Sequence, residues 1–162
     1  LHPGEGHFVA LLEKSDGTSG SLSFLPQQKE DSVYTSFAAQ TLSEPPPYSY
    51  YTFGSGVHLF PGQLPDLRGL KTMMCGIYAG SLEKGRFVPS HALAMALSRK
   101  YFAQFLSLSP DDPLLEAYLR GHTFPCSHSG WCAVGVGDYP LGWGKGADGI
   151  LKNHYPKGLR KK

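Results

Sequence analysis

The sequence lacks several features that would assign it to a broad class of protein. No run approaches the roughly 20 apolar residues of a membrane-spanning helix, and the first residues lack the charged and apolar regions of a signal peptide. The three cysteines, an odd number, argue against a disulfide framework and fit a reducing compartment. We therefore expect a cytoplasmic protein with free thiols and no membrane partner.

Motifs for catalysis and cofactor binding are also missing. No strand, glycine loop and acidic residue follow one another as in a nucleotide cofactor site. The glycines at 142, 144, 146 and 149 lack the GK[ST] ending of a phosphate loop and the helix that follows it, so turn and bulge positions explain them better. No nucleophile, base and orienting group assemble by motif, which makes a free-standing enzyme the weakest interpretation. We predict no catalytic or cofactor-binding residue in this chain.

Two small clusters of ligand-type residues have ordinary explanations. Cys126, His128 and Cys132 follow a C-x-H-x3-C spacing, which supplies three ligands and no second pair to complete a zinc tetrahedron. Glu5 and His7 have no nucleophile spaced to join them, so hydrogen bonding within a turn is their expected role. We predict no metal site.

Charge is distributed unevenly along the chain. The formal net charge is +2, yet residues 1–48 carry two basic and six acidic groups, whereas residues 145–162 carry six basic groups and one acidic group. Such a positive end attracts polyanions. A solubilising terminus is the ordinary alternative, but Asn153, His154 and Tyr155 lie among the cations and can bond phosphates or base edges and stack on bases. The pattern favours RNA contact.

The residue pattern predicts short strands with two or three helices. Twenty glycines and thirteen prolines favour strands and turns. Three helices are predicted. The first covers residues 33–42, and the third covers 110–119 with Ser109 as its N-cap. The second begins after an N-cap at Ser90, and its apolar face extends to Phe105. Strands are predicted at 6–14, 50–53, 56–60, 70–74, 77–82, 130–136, 139–145 and 149–154. The expected class is α+β, with a small mixed or antiparallel sheet or pseudo-barrel.

Three stretches together carry a family resemblance. They are GEGHFVAL at residues 4–11, GRFVPSHALAMAL at 85–97 and PLGWGKGADGILKNHYPKGLR at 140–160. In this order they resemble the RsmF-type members of the Nop/Sun family of RNA cytosine-5 methyltransferases. The resemblance implies a PUA-like fold, with residues 1–47 as the end strand of a missing catalytic domain plus a flexible linker, 48–95 as a first C-terminal subdomain and 96–162 as a PUA-like RNA-binding subdomain. We therefore expect a fragment of a longer protein.

The resemblance also implies a function for the longer protein. Such a parent transfers a methyl group from S-adenosylmethionine to a cytosine of ribosomal RNA, and we expect its C-terminal region to contact small-subunit ribosomal RNA and its own N-terminal methyltransferase domain. None of the three cysteines here lies in the family's catalytic contexts, so no catalytic role carries over. The predicted RNA-binding residues are Arg86, Lys145, Lys152, Asn153, His154, Tyr155, Lys157 and Arg160.

Several of these residues keep a second interpretation. Arg86 could reach RNA or brace a helix to the sheet, and bracing is slightly favoured. Trp143 could stack on a base or lie in the core. For His91, in a first helical turn, a neutral, hydrogen-bonded structural role is favoured over acid–base work. At the level of function, the alternative is a docking module that contacts its own methyltransferase domain or a ribosomal protein.

Overall fold

The computed structural model describes Gly17 and residues 21–162. The strand predicted at residues 6–14 and the turn roles predicted for Glu5 and His7 lie outside these residues. Within the described part, three α-helices and two β-sheets form an α+β fold, which confirms the predicted class. No helix in these described ranges is long and apolar enough to cross a membrane.

The first sheet has four antiparallel strands in sequence order: β1 (Ser49–Phe53), β2 (Gly56–Phe60), β3 (Ile77–Glu83) and β4 (Arg86–Pro89). The predicted hairpin between β1 and β2 is confirmed, with Gly54 in the turn at a φ of 60° that favours glycine. Because neighbouring strands follow one another in the sequence and run antiparallel, this sheet is a meander, with tight turns at β1–β2 and β3–β4 and a longer connection between β2 and β3.

Two helices flank the first sheet. Helix α1 (Ser32–Thr41) begins where the Asp31 side chain accepts a hydrogen bond from the backbone N–H of Val33. Helix α2 (His91–Ala96) has the predicted N-cap, because the Ser90 hydroxyl accepts a bond from the N–H of Leu93. Upstream of α1, the N–H of Leu25 donates to the carbonyl of Leu64, which attaches that stretch to the first sheet.

The second sheet has five strands in the order β5-β7-β8-β9-β6. They are β5 (Phe105–Leu108), β6 (Phe124–Pro125), β7 (Gly130–Val136), β8 (Tyr139–Ala147) and β9 (Ile150–Asn153). Strand β5 runs parallel to β7 and the other neighbours are antiparallel, so the sheet is mixed, as predicted. Helix α3 (Pro113–Leu119) connects β5 to β6.

One aromatic core joins the two sheets. Trp143 of β8 is 1% exposed and lies edge-on to Phe37 of α1 at 6.1 Å and to Phe102 at 5.4 Å, measured between ring centroids. Its indole N–H donates to the carbonyl of Ser90 at 2.8 Å, which satisfies the ring's polar atom. The core interpretation of Trp143 is therefore the correct one.

The structure corrects three local predictions. Residues 70–74 form no strand. The strand was predicted from their apolar composition, but Met73 and Met74 are exposed rather than packed in a sheet. The helix after Ser90 ends at Ala96, and the apolar spacing beyond it belongs to a 3₁₀ turn at Arg99–Tyr101 and to β5. Helix α3 starts at Pro113 with Asp112 as its cap rather than Ser109, because the Asp112 carboxylate accepts a bond from the N–H of Leu114.

Candidate nucleic-acid interface

A row of three side chains crosses one face of the second sheet. Trp131 of β7 lies opposite Lys145 of β8, and Lys145 lies opposite Lys152 of β9. Directly opposed residues of antiparallel strands project to the same face, so the three are neighbours. The ammonium of Lys145 lies 5.3 Å from the Trp131 ring centroid. Both lysines are exposed and Trp131 is half-buried.

His154 extends this row beyond the end of β9. Its backbone N–H donates to the carbonyl of Trp143, and its ring lies edge-on to Trp131 with the centroids 4.6 Å apart. Desolvation, followed by the positive charges of Lys145 and Lys152, lowers the pKa of the His154 imidazole below its ordinary value. The shift favours the neutral form of the imidazole, part of which remains exposed.

The row borders a groove of about 770 Å³. One wall is α1, the second is the β3–β4 hairpin, and the third is the part of β7 and β8 that carries Trp131 and Lys145. The groove is lined by Ser32, Val33, Ser36, Phe37, Gln40, Thr41, Glu83, Gly85, Arg86, Phe87, Val88, Ser129, Gly130, Trp131, Lys145 and His154. Three predicted RNA-binding residues, Arg86, Lys145 and His154, therefore line one groove, and Lys152 is the cross-strand neighbour of Lys145.

The cations of the groove differ from many others on the surface. Five basic side chains pair with carboxylates within 4 Å: Arg68, Arg99, Lys100, Arg120 and Lys161. Among the described residues, Arg86, Lys145 and Lys152 form no such pair. Glu83 is the acidic side chain of the groove, and its carboxylate accepts a hydrogen bond from the Ser81 hydroxyl at 2.7 Å. An anion could therefore approach the cations without displacing a carboxylate partner.

Asn153, also a predicted RNA-binding residue, points the other way and holds the fold together. Its amide donates to the carbonyls of Tyr118 at 2.8 Å and His122 at 3.0 Å, and its oxygen accepts from the N–H of Tyr155 at 2.8 Å. These bonds connect β9 to the end of α3. The side chain has most of its hydrogen-bonding capacity engaged within the protein.

Tyr155 and Arg160 fix the last turn of the chain beside α3. The Tyr155 ring lies 5.3 Å from that of Tyr118, and its carbonyl accepts two bonds of 3.2 Å from the Arg160 guanidinium. Gly121, at a φ of 84°, lies directly against that guanidinium, where a Cβ would collide. Lys157, in a 3₁₀ turn at Lys157–Leu159, is exposed and does not line the groove.

His91 has a structural environment at the start of α2. Its ring is half-buried, lies edge-on to Tyr155 at 5.7 Å, and its Nδ1 has no hydrogen-bond partner among the described residues. Burial lowers the pKa of the imidazole, which favours the neutral form. The favoured neutral state agrees with the sequence-based interpretation, whereas the hydrogen bond expected for it is not formed at Nδ1.

The residues of the C-x-H-x3-C spacing lie in two different environments. Cys132 is fully buried between the sheet and α3, where burial raises the pKa of its thiol to about 12. Cys126 Sγ instead lies 3.2 Å from His128 Nδ1. Nowhere in residues 21–162 do three or more His, Cys, Asp or Glu side chains gather as metal ligands.

Several residues of the groove were not predicted from the sequence, namely Ser36, Gln40, Glu83 and Trp131. The position of Trp131 depends on a β-bulge. A regular hairpin around the two-residue turn at 137–138 would place Trp131 opposite Gly144. The register shift near Val134 places it opposite Lys145 instead. For α1, the signal was the Ser32, Ser36, Gln40 spacing of four residues, which marks one polar stripe on a helix.

The fold is thus an antiparallel meander that shares a core with a curved, PUA-like mixed sheet, and the groove lies between them. Two family models match these units. The model described as RsmF rRNA methyltransferase first C-terminal domain matches residues 36–97, and the one described as Methyltransferase RsmF PUA domain matches residues 105–161. Together they cover most of the chain, in the order the sequence resemblance predicted. The chain belongs to the RsmF methyltransferase family and comprises these two C-terminal domains.

Proposed function

We propose that this chain is the RNA-binding accessory region of an S-adenosylmethionine-dependent ribosomal RNA cytosine-5 methyltransferase that works in the cytoplasm. It positions ribosomal RNA, expected to be that of the small subunit, for the methyltransferase domain of the same protein. Its role is to orient the substrate, because fixing a target beside a catalytic group removes much of the entropic barrier to reaction. S-adenosylmethionine belongs to that other domain.

The observation that carries this proposal is that Arg86, Lys145 and His154 line one groove and that Lys152 lies beside Lys145. Unpaired cations along a groove suit the phosphates of a nucleic acid strand, and such contacts set register and orientation. Asn153, Tyr155 and Arg160 support this surface from behind by fixing β9 to α3. Lys157 could extend the contact along the chain end.

A titration with fluorescently labelled fragments of small-subunit ribosomal RNA tests the proposal. The variant Lys145→Ala/Lys152→Ala should bind about tenfold or more weakly, and the slope of log affinity against log salt should become about 1.4 less steep, as for two phosphate contacts on a single strand. The matched control is Lys29→Ala/Lys71→Ala, which removes the same charge from exposed lysines outside the groove. An equal loss of RNA affinity in the two variants would show that binding depends only on net charge and would contradict the proposal.

A second candidate function is docking to the protein's own methyltransferase domain or to a ribosomal protein. It is favoured by an apolar surface beside β1, where Leu70, Met73 and Met74 are 68%, 88% and 74% exposed and Phe53 lies nearby. Exposed clusters of this kind commonly mark protein contacts. Replacing Met73 and Met74 with serine should weaken a protein contact and leave RNA affinity unchanged. A loss of RNA affinity instead would argue against separate surfaces.

A further inference from the structure

The groove combines three kinds of side chain. Arg86 and Lys145 line it as cations and Lys152 lies beside Lys145, whereas Trp131 with His154 form an aromatic side and α1 forms a polar side. Phosphates suit the cations. An aromatic and amide-bearing surface suits a nucleobase, which has a π-face for stacking and polar edges for hydrogen bonds.

The aromatic side is held in place before any ligand arrives. Trp131 lies edge-on to both His154, at 4.6 Å, and Trp143, at 6.1 Å between centroids, and Trp143 is fixed in the core. A ring held in this way loses little conformational freedom when a base stacks on it. The Lys145 ammonium lies 5.3 Å from the Trp131 ring centroid, so a cation for a phosphate adjoins the aromatic side.

The polar side offers groups that fit the edge of a base. The side chain of Gln40 makes no hydrogen bond within residues 21–162, so its amide can donate and accept at once. The Glu83 carboxylate, which already accepts one bond from Ser81, can accept another from a base amino group and would repel a phosphate. A base in a duplex has its pairing edge occupied, whereas an unpaired base presents it.

The size of the groove agrees with this division of roles. A volume of about 770 Å³ falls within the roughly 300–1,000 Å³ of pockets that hold small organic ligands. We propose that the groove receives one unpaired nucleotide of the RNA, its base against Trp131 and His154 and its pairing edge toward Gln40 and Glu83. The flanking phosphates then meet Lys145, Lys152 and Arg86. The substrate class is RNA with a bulged, looped or single-stranded nucleotide.

This inference rests on the proposed RNA binding, and one experiment separates the two. Three RNAs of equal length and charge are titrated into the chain: a fully paired hairpin, the same stem with one bulged nucleotide, and an unstructured strand. Anisotropy reports affinity and tryptophan emission reports the groove, since Trp131 and Trp143 are the two tryptophans. The bulged and unstructured RNAs should bind about tenfold more tightly than the paired hairpin and quench emission.

Variants of Trp131 complete the test. Trp131→Leu should remove the preference and bring the bulged RNA to the affinity of the paired hairpin. Trp131→Phe, which keeps an aromatic face, should retain the preference and lose the quenching, and circular dichroism checks that both variants fold. Equal binding of all three RNAs with no quenching would overturn the inference and leave RNA binding standing. No binding of any RNA would overturn both.

Discussion

Neighbouring residues of the C-terminal segment face opposite sides of one sheet and take different tasks. Lys152 and His154 lie on the groove side with Lys145, exposed and free of carboxylate partners among the described residues. Asn153, between them, bonds two carbonyls at the end of α3. Along β9, the alternation of a β-strand therefore places Lys152 and His154 on an outer face toward the groove and Asn153 on an inner face toward α3.

The largest loss of stability is expected when the hydrogen bonds of the Asn153 side chain are removed. Asn153→Ala leaves the carbonyls of Tyr118 and His122 and the N–H of Tyr155 without this partner, so the free energy of unfolding should fall by about 2 kcal/mol. Urea denaturation measures it. The folded fraction should still bind RNA with unchanged affinity, and a specific loss of affinity would assign Asn153 to the outer face.

Arg160 provides the next test. Arg160→Ala removes two bonds to the Tyr155 carbonyl and the packing over Gly121, and should cost about 1 kcal/mol in thermal denaturation. Lys161→Ala is the control, because the ion pair of Lys161 with Glu116 is solvent-exposed and such pairs contribute little to stability. If Arg160→Ala weakens RNA binding and leaves the melting temperature unchanged, Arg160 is a ligand contact instead.

Mild acid should destabilise the protein less than either of the inner substitutions. His91 and His154 have folded-state pKa values below their ordinary 6.5, so the unfolded chain takes up protons first as pH falls. Their contribution is complete above about pH 6.5 and decreases below it. Melting temperature should therefore drop between pH 7 and 5.5, and His154→Gln should make that drop shallower. An unchanged pH profile in this variant would show that the His154 ring titrates normally.

The smallest effect on stability is expected on the outer face. Lys152→Ala removes an exposed, unpaired charge and should change the free energy of unfolding by less than about 0.5 kcal/mol. Chemical denaturation beside Asn153→Ala makes the comparison direct. If Lys152→Ala lowers the free energy of unfolding as much as Asn153→Ala does, Lys152 stabilises the fold and the two faces of β9 do not differ in role.

Much of the architecture follows from local sequence patterns. The β1–β2 hairpin, the Ser90 cap and the strands around the turn at residues 137–138 all depend on neighbours in the chain, which is why alternation and turn residues predict them. Strand β5 was missed because its pairing is parallel and nonlocal, with β7 as its partner. Residues 70–74 have the apolar composition of a strand, yet they pair with none of the strands in the described part of the chain.

The candidate site was predictable only in part. Positive charge and the polar residues among it pointed to Lys145, Lys152 and His154, and the family resemblance added Arg86. The contributions of α1 and of Trp131 depend on the shared core and on a one-residue bulge, neither of which a local pattern reveals. The distinction between Lys152 and Asn153 likewise required knowing which side of β9 faces α3.

The most direct test of the account is ultraviolet crosslinking of the chain to a bulged ribosomal RNA fragment, with the crosslinked peptides mapped by mass spectrometry. If RNA binds along the groove, crosslinks should form at Trp131, at residues 145–154 and in the β3–β4 hairpin around Arg86. Crosslinks confined to the exposed loop at residues 70–74 or to α3, with none at the groove, would contradict it.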